Sequence, residues 1–279
     1  MIGLGLLGSA IASRLLAAGY NIKGFDTDPQ RLRDFAKAGS AAIGCASDVF
    51  AACPVTFLAL PDSDVVASLL DAAQKLTPGS TVIDLTTGDP DRMAAFGSQL
   101  AAFGVAYLDA TVGGSSEQVR QGDAIVMAGG LPAVLERHRA LLATFAREIF
   151  HVGPWGSGAR MKLAMNLVLG LNRAVLAEGL AFAAACGISP GDALRVFRSG
   201  PAWSSVMDTK GRRMIERDFK PAARLSQHRK DVDLILAAAA RNGAKTPLSQ
   251  LHRELLAKVE RAGFGAEDNS AILRAFELE

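Results

Sequence analysis

The chain of 279 residues is 49% hydrophobic, which is enough to fill the cores of two domains of ordinary size. Its 30 Lys and Arg nearly balance its 28 Asp and Glu, and the basic residues are scattered, so no nucleic acid and no anionic membrane is expected as a partner. The three cysteines, Cys45, Cys53 and Cys186, have neither CxxC spacing nor neighbouring histidines. We expect free thiols in a reducing cytoplasm and no metal site.

The N-terminal part of the chain alternates short apolar runs with segments of helical periodicity, which is typical of βαβ units. Because the runs are almost continuously apolar, helices should cover both faces of the sheet. The pattern predicts a Rossmann-type α/β domain over residues 1–153, with a doubly wound parallel sheet. Its predicted strands are residues 20–25, 54–60, 80–85, 106–112, 124–128 and 148–152.

Long helical patterns replace the strands from about Gly156 onward and predict an all-α C-terminal domain over residues 154–279. The apolar pattern of residues 156–186 predicts one helix of about 30 residues, roughly 45 Å long, which links the two domains. Glu178 interrupts its most apolar stretch, so we do not expect a membrane span. We expect so long an apolar helix to be buried against a second subunit, in a homodimer or homotetramer.

A glycine-rich loop opens the chain. The sequence GLGLLG at residues 3–8 fits GxGxxG and leads directly into a helical pattern. Its glycines permit a tight turn, close approach to a pyrophosphate and close helix–strand packing. Only Met1 and Ile2 precede the loop, so either the first strand is very short or further residues precede Met1. The predicted cofactor contacts in this loop are Gly3, Gly5, Leu6, Leu7 and Gly8.

Asp26 follows the next predicted strand, where a carboxylate accepts hydrogen bonds from the adenosine ribose hydroxyls. A carboxylate there repels a 2′-phosphate, so NAD is favoured as the cofactor. Arg31 and Arg33 lie a few residues further on and leave NADP open.

Lys162 and Asn166 are four residues apart near the start of the long helix, so their side chains share one helix face. A partly desolvated lysine has a lowered pKa and can accept a proton from a substrate hydroxyl. The spacing of these two residues is equally compatible with polar side chains at the solvent-exposed edge of an otherwise apolar helix.

Four segments of the chain, in this order, resemble the β-hydroxyacid dehydrogenases, the family that includes 3-hydroxyisobutyrate dehydrogenase and tartronate semialdehyde reductase. They are GLGLLGSAIASRLL (residues 3–16), DATVGGSSEQVRQGDAIVMAGG (109–130), GSGARMKLAMN (156–166) and RKDVDL (229–234). The resemblance covers nearly the whole chain. It implies an oxidoreductase that transfers a hydride between NAD(P) and the CH–OH group of a small anionic hydroxyacid, or the corresponding aldehyde, bound between the domains.

The resemblance implies that Lys162 is the general acid/base and that Asn166 is its neighbouring amide. It also implies that Lys230, followed by Asp231, closes over the nicotinamide. The turns after the third and fourth strands border the cofactor in this family. The contacts they imply here are Leu60, Pro61 and Thr87.

The substrate loop departs from the family's pattern, which commonly reads DAPVSGG. Here Thr111 replaces the proline, Gly113 the serine and Ser115 the second glycine. Backbone amides at Gly113 and Gly114 are expected to form an anion-binding nest. The predicted substrate contacts are therefore Thr111, Gly113, Gly114 and Ser115.

Two alternatives share this architecture. Imine reductases usually replace the catalytic lysine, so Lys162 argues against that group. A non-catalytic dinucleotide-binding protein would bind NAD without turnover, and the altered loop at residues 113–118 is the feature that favours it.

Overall fold

The computed structural model describes residues 1–71 and 76–278. The chain divides into two compact units, Met1–Lys162 and Leu163–Glu279. The first unit is an α/β sandwich and the second is largely helical, which confirms the predicted fold class.

The first unit alternates strands and helices. Its strands are β1 (Lys23–Gly24), β2 (Ala41–Ala42), β3 (Val55–Leu58), β4 (Thr81–Asp84), β5 (Ala106–Gly113), β6 (Ala124–Gly130) and β7 (Ala146–Gly153). Its helices are α1 (Leu6–Ala17), α2 (Pro29–Lys37), α3 (Ala46–Ala52), α4 (Ser63–Asp71), α5 (Pro90–Ala102), α6 (Ser116–Gln121) and α7 (Pro132–Leu142).

Parallel pairing connects most of these strands. β2 pairs with β1, and β3, β4 and β5 pair in that order. Ile2 forms single parallel bridges to Phe25 on one side and Leu58 on the other. A single residue therefore occupies the position of the first strand, between β1 and β3.

The sheet departs from the predicted parallel pattern at one place, because β6 runs antiparallel to β5, while β7 runs parallel to β6. The cause is the length of the connection. Only residues 114–123, including the short α6, separate β5 from β6, whereas a parallel crossover needs about a dozen residues or more.

The sheet is buried on both faces, as the apolar strands predict. Ile83 of β4 and Leu108 of β5 belong to one hydrophobic cluster, while their neighbours Val82 and Tyr107 belong to another. Adjacent residues of a strand point to opposite faces, so the two clusters lie on the two sides of the sheet.

The long helix α8 spans Ser157–Ala185, which confirms the prediction within one residue at each end. In the described part of the chain it is the one helix with the length and mean hydropathy (1.5) to cross a membrane. Of its apolar window, 39% is buried inside the protein. Core helices of soluble proteins meet the same criteria.

The rest of the second unit consists of helical segments of several kinds. The α-helices are α9 (Pro190–Ser199), α10 (Arg212–Glu216), α11 (Leu225–Arg241) and α12 (Pro247–Val259). Two π-helical segments, Met207–Gly211 and Glu260–Phe264, and a 3₁₀ helix, Asn269–Phe276, complete it. They enclose one apolar core that includes Leu176, Met214, Leu225 and Leu256.

Candidate functional site

The glycines of the loop at residues 3–8 have distinct structural causes. Gly3 has a φ of +90°, and a Cβ on it would lie 2.3 Å from the carbonyl oxygen of Ala59. A Cβ on Gly8 would lie 2.0 Å from the carbonyl oxygen of Gly3. Gly5 is different, because the nearest atom to its Cβ position is Nη1 of Arg31, at 3.8 Å. The absence of a Cβ on Gly3 and Gly8 therefore allows the loop to adopt this conformation. The absence of a Cβ on Gly5 leaves open space beside the loop.

Gly5 is also the N-cap residue of α1, and among the described residues no side chain caps this helix end. The first-turn N–H groups of a helix carry partial positive charge and bind phosphate. Leu6, whose side chain is 66% exposed, is the first residue of the helix, and Leu7 follows it. The loop thus fits the pyrophosphate of a dinucleotide.

Asp26 is tied to the same loop. Its carboxylate is only 7% exposed and accepts hydrogen bonds from the amides of Leu4 (2.7 Å) and Asp28 (2.9 Å). Nη1 of Arg31 lies 3.4 Å from the same carboxylate, and the Arg31 side chain is half exposed. A carboxylate and a guanidinium group therefore lie next to each other at the position where recognition of the adenosine ribose is predicted.

Three loops follow parallel strands at one edge of the sheet. Residues 3–8 follow Ile2, residues 60–61 follow β3, and residues 86–87 follow β4. The carboxyl ends of parallel strands form the ligand-binding edge in sheets of this kind. The structure thus brings these three predicted cofactor segments together.

A hydrogen bond joins two of these loops, because the Leu60 amide donates to Oγ1 of Thr86 (3.2 Å). Asp84 accepts the Thr86 amide (2.9 Å), and burial raises the pKa of Asp84 to about 6. Thr86 is buried and its hydroxyl is engaged, whereas Thr87 is half-buried and Pro61 is exposed. Thr87 is thus the better placed threonine for a ligand.

Asp109 fastens the start of α8 to β5. Its carboxylate, fully buried, accepts hydrogen bonds from the amides of Gly156 (3.0 Å) and Ala159 (2.9 Å). Burial raises the pKa of Asp109 to about 6, although these N–H groups act in the opposite direction. The arrangement caps the N-terminus of the helix that carries Lys162.

Lys162 itself is anchored to β5, because its Nζ donates to the carbonyl oxygen of Val112 at 2.7 Å. Thr111 provides a second hydrogen bond between β5 and α8, since its Oγ1 donates to the carbonyl oxygen of Gly158 at 2.9 Å. The Lys162 Nζ is therefore held at the end of β5, next to the predicted substrate loop.

This close approach of helix and strand depends on Gly158. A Cβ on Gly158 would lie 2.1 Å from the carbonyl oxygen of Asp109 and 2.6 Å from that of Met127. The GSG sequence at residues 156–158 signals such an approach, but the sequence does not identify Asp109 as the residue that caps the helix.

The predicted substrate residues have different surroundings. Thr111 is completely buried and its hydroxyl is directed at α8, while Gly113 pairs with Ile125 in the sheet. Gly114 is exposed with a φ of +140°. Ser115 and Gln118 form a reciprocal capping box at the start of α6, which engages both the amide and the hydroxyl of Ser115.

The remaining predicted residues lie in the second unit. Asn166 donates from Nδ2 to Oδ2 of Asp231 (3.1 Å), and Lys230 is half-buried on α11. Asp231 thereby orients the Asn166 amide. The RKDVDL segment places this acid next to the predicted lysine, but its partner could not be read from the sequence.

Comparison with known proteins covers nearly the whole chain. Residues 1–153 match the family model described as the NAD binding domain of 6-phosphogluconate dehydrogenase, and residues 156–276 match that of NADP-dependent 3-hydroxyisobutyrate dehydrogenase. The 2-hydroxy-3-oxopropionate reductase of Escherichia coli (strain K12) is 30% identical over 281 residues, which cover 99% of this chain and 96% of that protein. The 2-(hydroxymethyl)glutarate dehydrogenase of Eubacterium barkeri is 27% identical, with 99% and 93% covered. A solved structure of Mycobacterium tuberculosis 3-hydroxyisobutyrate dehydrogenase with L-serine has a TM-score of 0.90, 26% identity, and coverage of 98% and 96%.

Proposed function

The chain belongs to the β-hydroxyacid dehydrogenase family, and on that premise we propose that it oxidises a small β-hydroxyacid, or reduces its semialdehyde, with Lys162 as the general acid/base. The first unit is an NAD(P)-binding domain, and the relatives act on CH–OH groups. The observation that carries the role of Lys162 is its Nζ held at 2.7 Å from the Val112 carbonyl, beside the altered substrate loop.

Bound NAD(P) supplies or accepts the hydride. In the oxidative direction the neutral amine of Lys162 accepts the proton of the substrate hydroxyl and becomes an ammonium group. In the reductive direction that ammonium group donates a proton to the carbonyl oxygen and returns to the amine. The contact with Val112 fixes the Lys162 Nζ before substrate arrives, which lowers the entropy cost of orientation. Asn166, oriented by Asp231, is assigned to the same substrate oxygen from the family motif.

We assign the anionic end of the substrate to the turn at Gly113 and Gly114. Gly114 is exposed and lies next to the strand end that anchors Lys162. We assign Thr111 to positioning α8 rather than to substrate contact, because its buried hydroxyl donates to Gly158. Ser115 similarly serves the α6 cap.

A panel of short β-hydroxyacids and semialdehydes, assayed with NAD(H) and with NADP(H), tests this function. We expect saturable turnover with at least one compound that carries a carboxylate. Turnover confined to cyclic imines would support an imine reductase. Binding of both cofactors without turnover on any compound would support a non-catalytic dinucleotide-binding protein.

We propose NAD as the preferred cofactor and expect Asp26→Asn to shift the preference toward NADP. The change removes the charge that repels a 2′-phosphate and keeps an oxygen that can accept the Leu4 amide. Arg31 loses its ion pair with residue 26 and keeps the one that its Nε forms with Asp28 at 3.5 Å, so its Nη1 is available to the phosphate. We expect the NADP to NAD ratio of kcat/KM to rise at least about tenfold, or about 1.4 kcal/mol.

Steady-state kinetics with both cofactors measures this ratio, and Lys37→Ala serves as a control because the Lys37 side chain, at the end of α2, is 76% exposed. An unchanged ratio in Asp26→Asn would rule out ribose selection by this carboxylate.

We also propose that the enzyme is a cytoplasmic homodimer that packs along α8. Val168, Val175 and Phe182 recur at seven-residue intervals on this helix and are 54%, 67% and 70% exposed. Such spacing forms an apolar seam typical of helix–helix contacts, and a symmetric dimer uses the same seam twice. The three free cysteines suit a reducing compartment.

We expect Val175→Glu to convert the dimer to monomers, because it places a charge in the seam. Sedimentation velocity measures the mass. Val196→Glu, on α9, is the matched control, since Val196 is 68% exposed and lies outside the seam. A monomeric wild-type protein, or a dimer that survives Val175→Glu, would contradict this arrangement.

A further inference from the structure

The second unit buries a guanidinium group that the proposed reaction does not use. Arg173 of α8 is 7% exposed, and neither its Nε nor its Nη1 has an acceptor among the described residues. Burial lowers the pKa of Arg173 to about 10, so the group remains charged near neutral pH. A buried cation with unpaired N–H donors is unfavourable and favours a counter-charge beside it.

Asp268 is the carboxylate whose charge acts on Arg173, but its oxygens already accept other donors. Lys210 Nζ lies 2.7 and 3.0 Å from them, and Nη1 of Arg213 lies 3.8 Å away. The remaining donors are the amides of Ala222, Ala223 and Ser270 and the hydroxyl of Ser270. Arg173, Lys210 and Arg213 thus share the single negative charge of Asp268, so these four side chains together keep a net positive charge.

Two buried histidines belong to the same set of side chains as Arg173 and Asp268. His228 of α11 and His252 of α12 are 7% and 3% exposed, and their ring centroids are 5.2 Å apart. Nε2 of His228 has no partner among the described residues. A Cβ on Gly170 would lie 2.5 Å from this atom, so the imidazole packs directly on the backbone of α8.

Gly170 and Arg173 are three residues apart on α8, so they lie on one face of the helix. Burial and the charge of Arg173 lower the pKa values of both histidines, which keeps the imidazoles neutral near pH 7. A neutral imidazole whose Nε2 carries the proton donates one hydrogen bond. The unmatched N–H donors and the excess positive charge therefore belong to the same stretch of the helical unit.

We propose that this cluster, Arg173 with His228 and His252, binds a small monovalent inorganic anion of the size of chloride. The anion accepts hydrogen bonds from Arg173 Nε and Nη1 and from His228 Nε2, and it offsets part of the excess positive charge of Arg173, Lys210 and Arg213. It has few atoms, because the three side chains of the cluster are each more than nine-tenths buried. Its role is to hold α8, α11 and α12 together.

Chloride titration at constant ionic strength tests the proposal, with gluconate as the replacing anion because it is too large to enter. We expect the thermal midpoint of the wild-type protein to rise with chloride and then saturate. Arg173→Met should abolish this dependence. Arg212→Met, which removes an equal charge from a side chain that is 84% exposed and paired with Glu216, should retain it.

Anomalous diffraction from crystals of the wild-type protein grown in bromide gives a second test that needs no variant. We expect a bromide peak within hydrogen-bond distance of Nε and Nη1 of Arg173. A water molecule at that position with no anomalous signal would overturn the proposal. A chloride dependence that persists in Arg173→Met, or a wild-type midpoint that ignores the anion, would do so as well.

Discussion

Lys162→Met is expected to reduce kcat by about a hundredfold to ten-thousandfold, the range that positioned acid–base groups contribute. Methionine retains the length of the lysine stem but cannot exchange a proton or donate to the Val112 carbonyl. The dissociation constant of NAD(H) should stay within about twofold, because the dinucleotide loop at residues 3–8 follows a different strand. Steady-state kinetics and fluorescence titration with NADH measure the two quantities.

Lys37→Met provides the matched control for this substitution. Lys37 is at the end of α2, its side chain is 76% exposed, and it faces Asp34 at 3.8 Å. This variant should keep the kcat of the wild-type protein. Full activity in Lys162→Met would remove the lysine from the mechanism.

Gly158→Ala is expected to destabilise the protein and to lower kcat by about a hundredfold, the cost of a displacement of roughly 1 Å in a catalytic group. Helix propensity alone predicts the opposite sign, because alanine in a helix is more stable than glycine by about 1 kcal/mol. Here the added Cβ would meet two backbone carbonyl oxygens, at 2.1 and 2.6 Å, which cannot move aside as a flexible side chain would. The start of α8 must therefore shift away from β5 and carry Lys162 with it.

Urea unfolding and steady-state kinetics together check this prediction. We expect a loss of about 1–3 kcal/mol in the free energy of unfolding, as overpacked positions usually show. Gly44→Ala is the control, because a Cβ at that position meets no atom of the described structure within 4 Å and its φ is not positive. A stabilised, fully active Gly158→Ala protein would show that the contact of α8 with β5 does not position the lysine.

Local sequence signals predicted the dinucleotide loop well, because each of its constraints acts over a few residues. A Cβ on Gly3 or Gly8 would lie too close to a backbone carbonyl oxygen, and Gly5 is the N-cap residue of α1. The long helix was equally predictable from unbroken apolar periodicity, and it ends close to the predicted residues.

The directions of the last strands could not be derived from their apolar character, since parallel and antiparallel buried strands have the same composition. The length of the connection was the available signal. Residues 114–123 are too few for a parallel crossover, which requires β6 to return antiparallel to β5.

Polar side chains near the substrate loop were the hardest to assign, because their partners are distant in sequence. Thr111 donates to Gly158 and Asp109 caps a helix that begins 48 residues later, at Ser157. Ser115 is an exception, since Ser115 and Gln118 fit the capping-box pattern and could have been assigned to the helix end from sequence. The resemblance predicted the role of Lys162, whereas the structure supplied the Val112 contact that holds its Nζ.

Transfer of deuterium from the cofactor to the substrate tests the central claim most directly. The wild-type enzyme is mixed with a short semialdehyde and NADH or NADPH that carries deuterium at the transferable position, and the product is analysed by mass spectrometry. We expect one deuterium on the hydroxyl-bearing carbon of the product for each cofactor oxidised, and a rate that falls with Lys162→Met. Cofactor that stays reduced with every semialdehyde, or product without deuterium, would contradict hydride transfer by this protein.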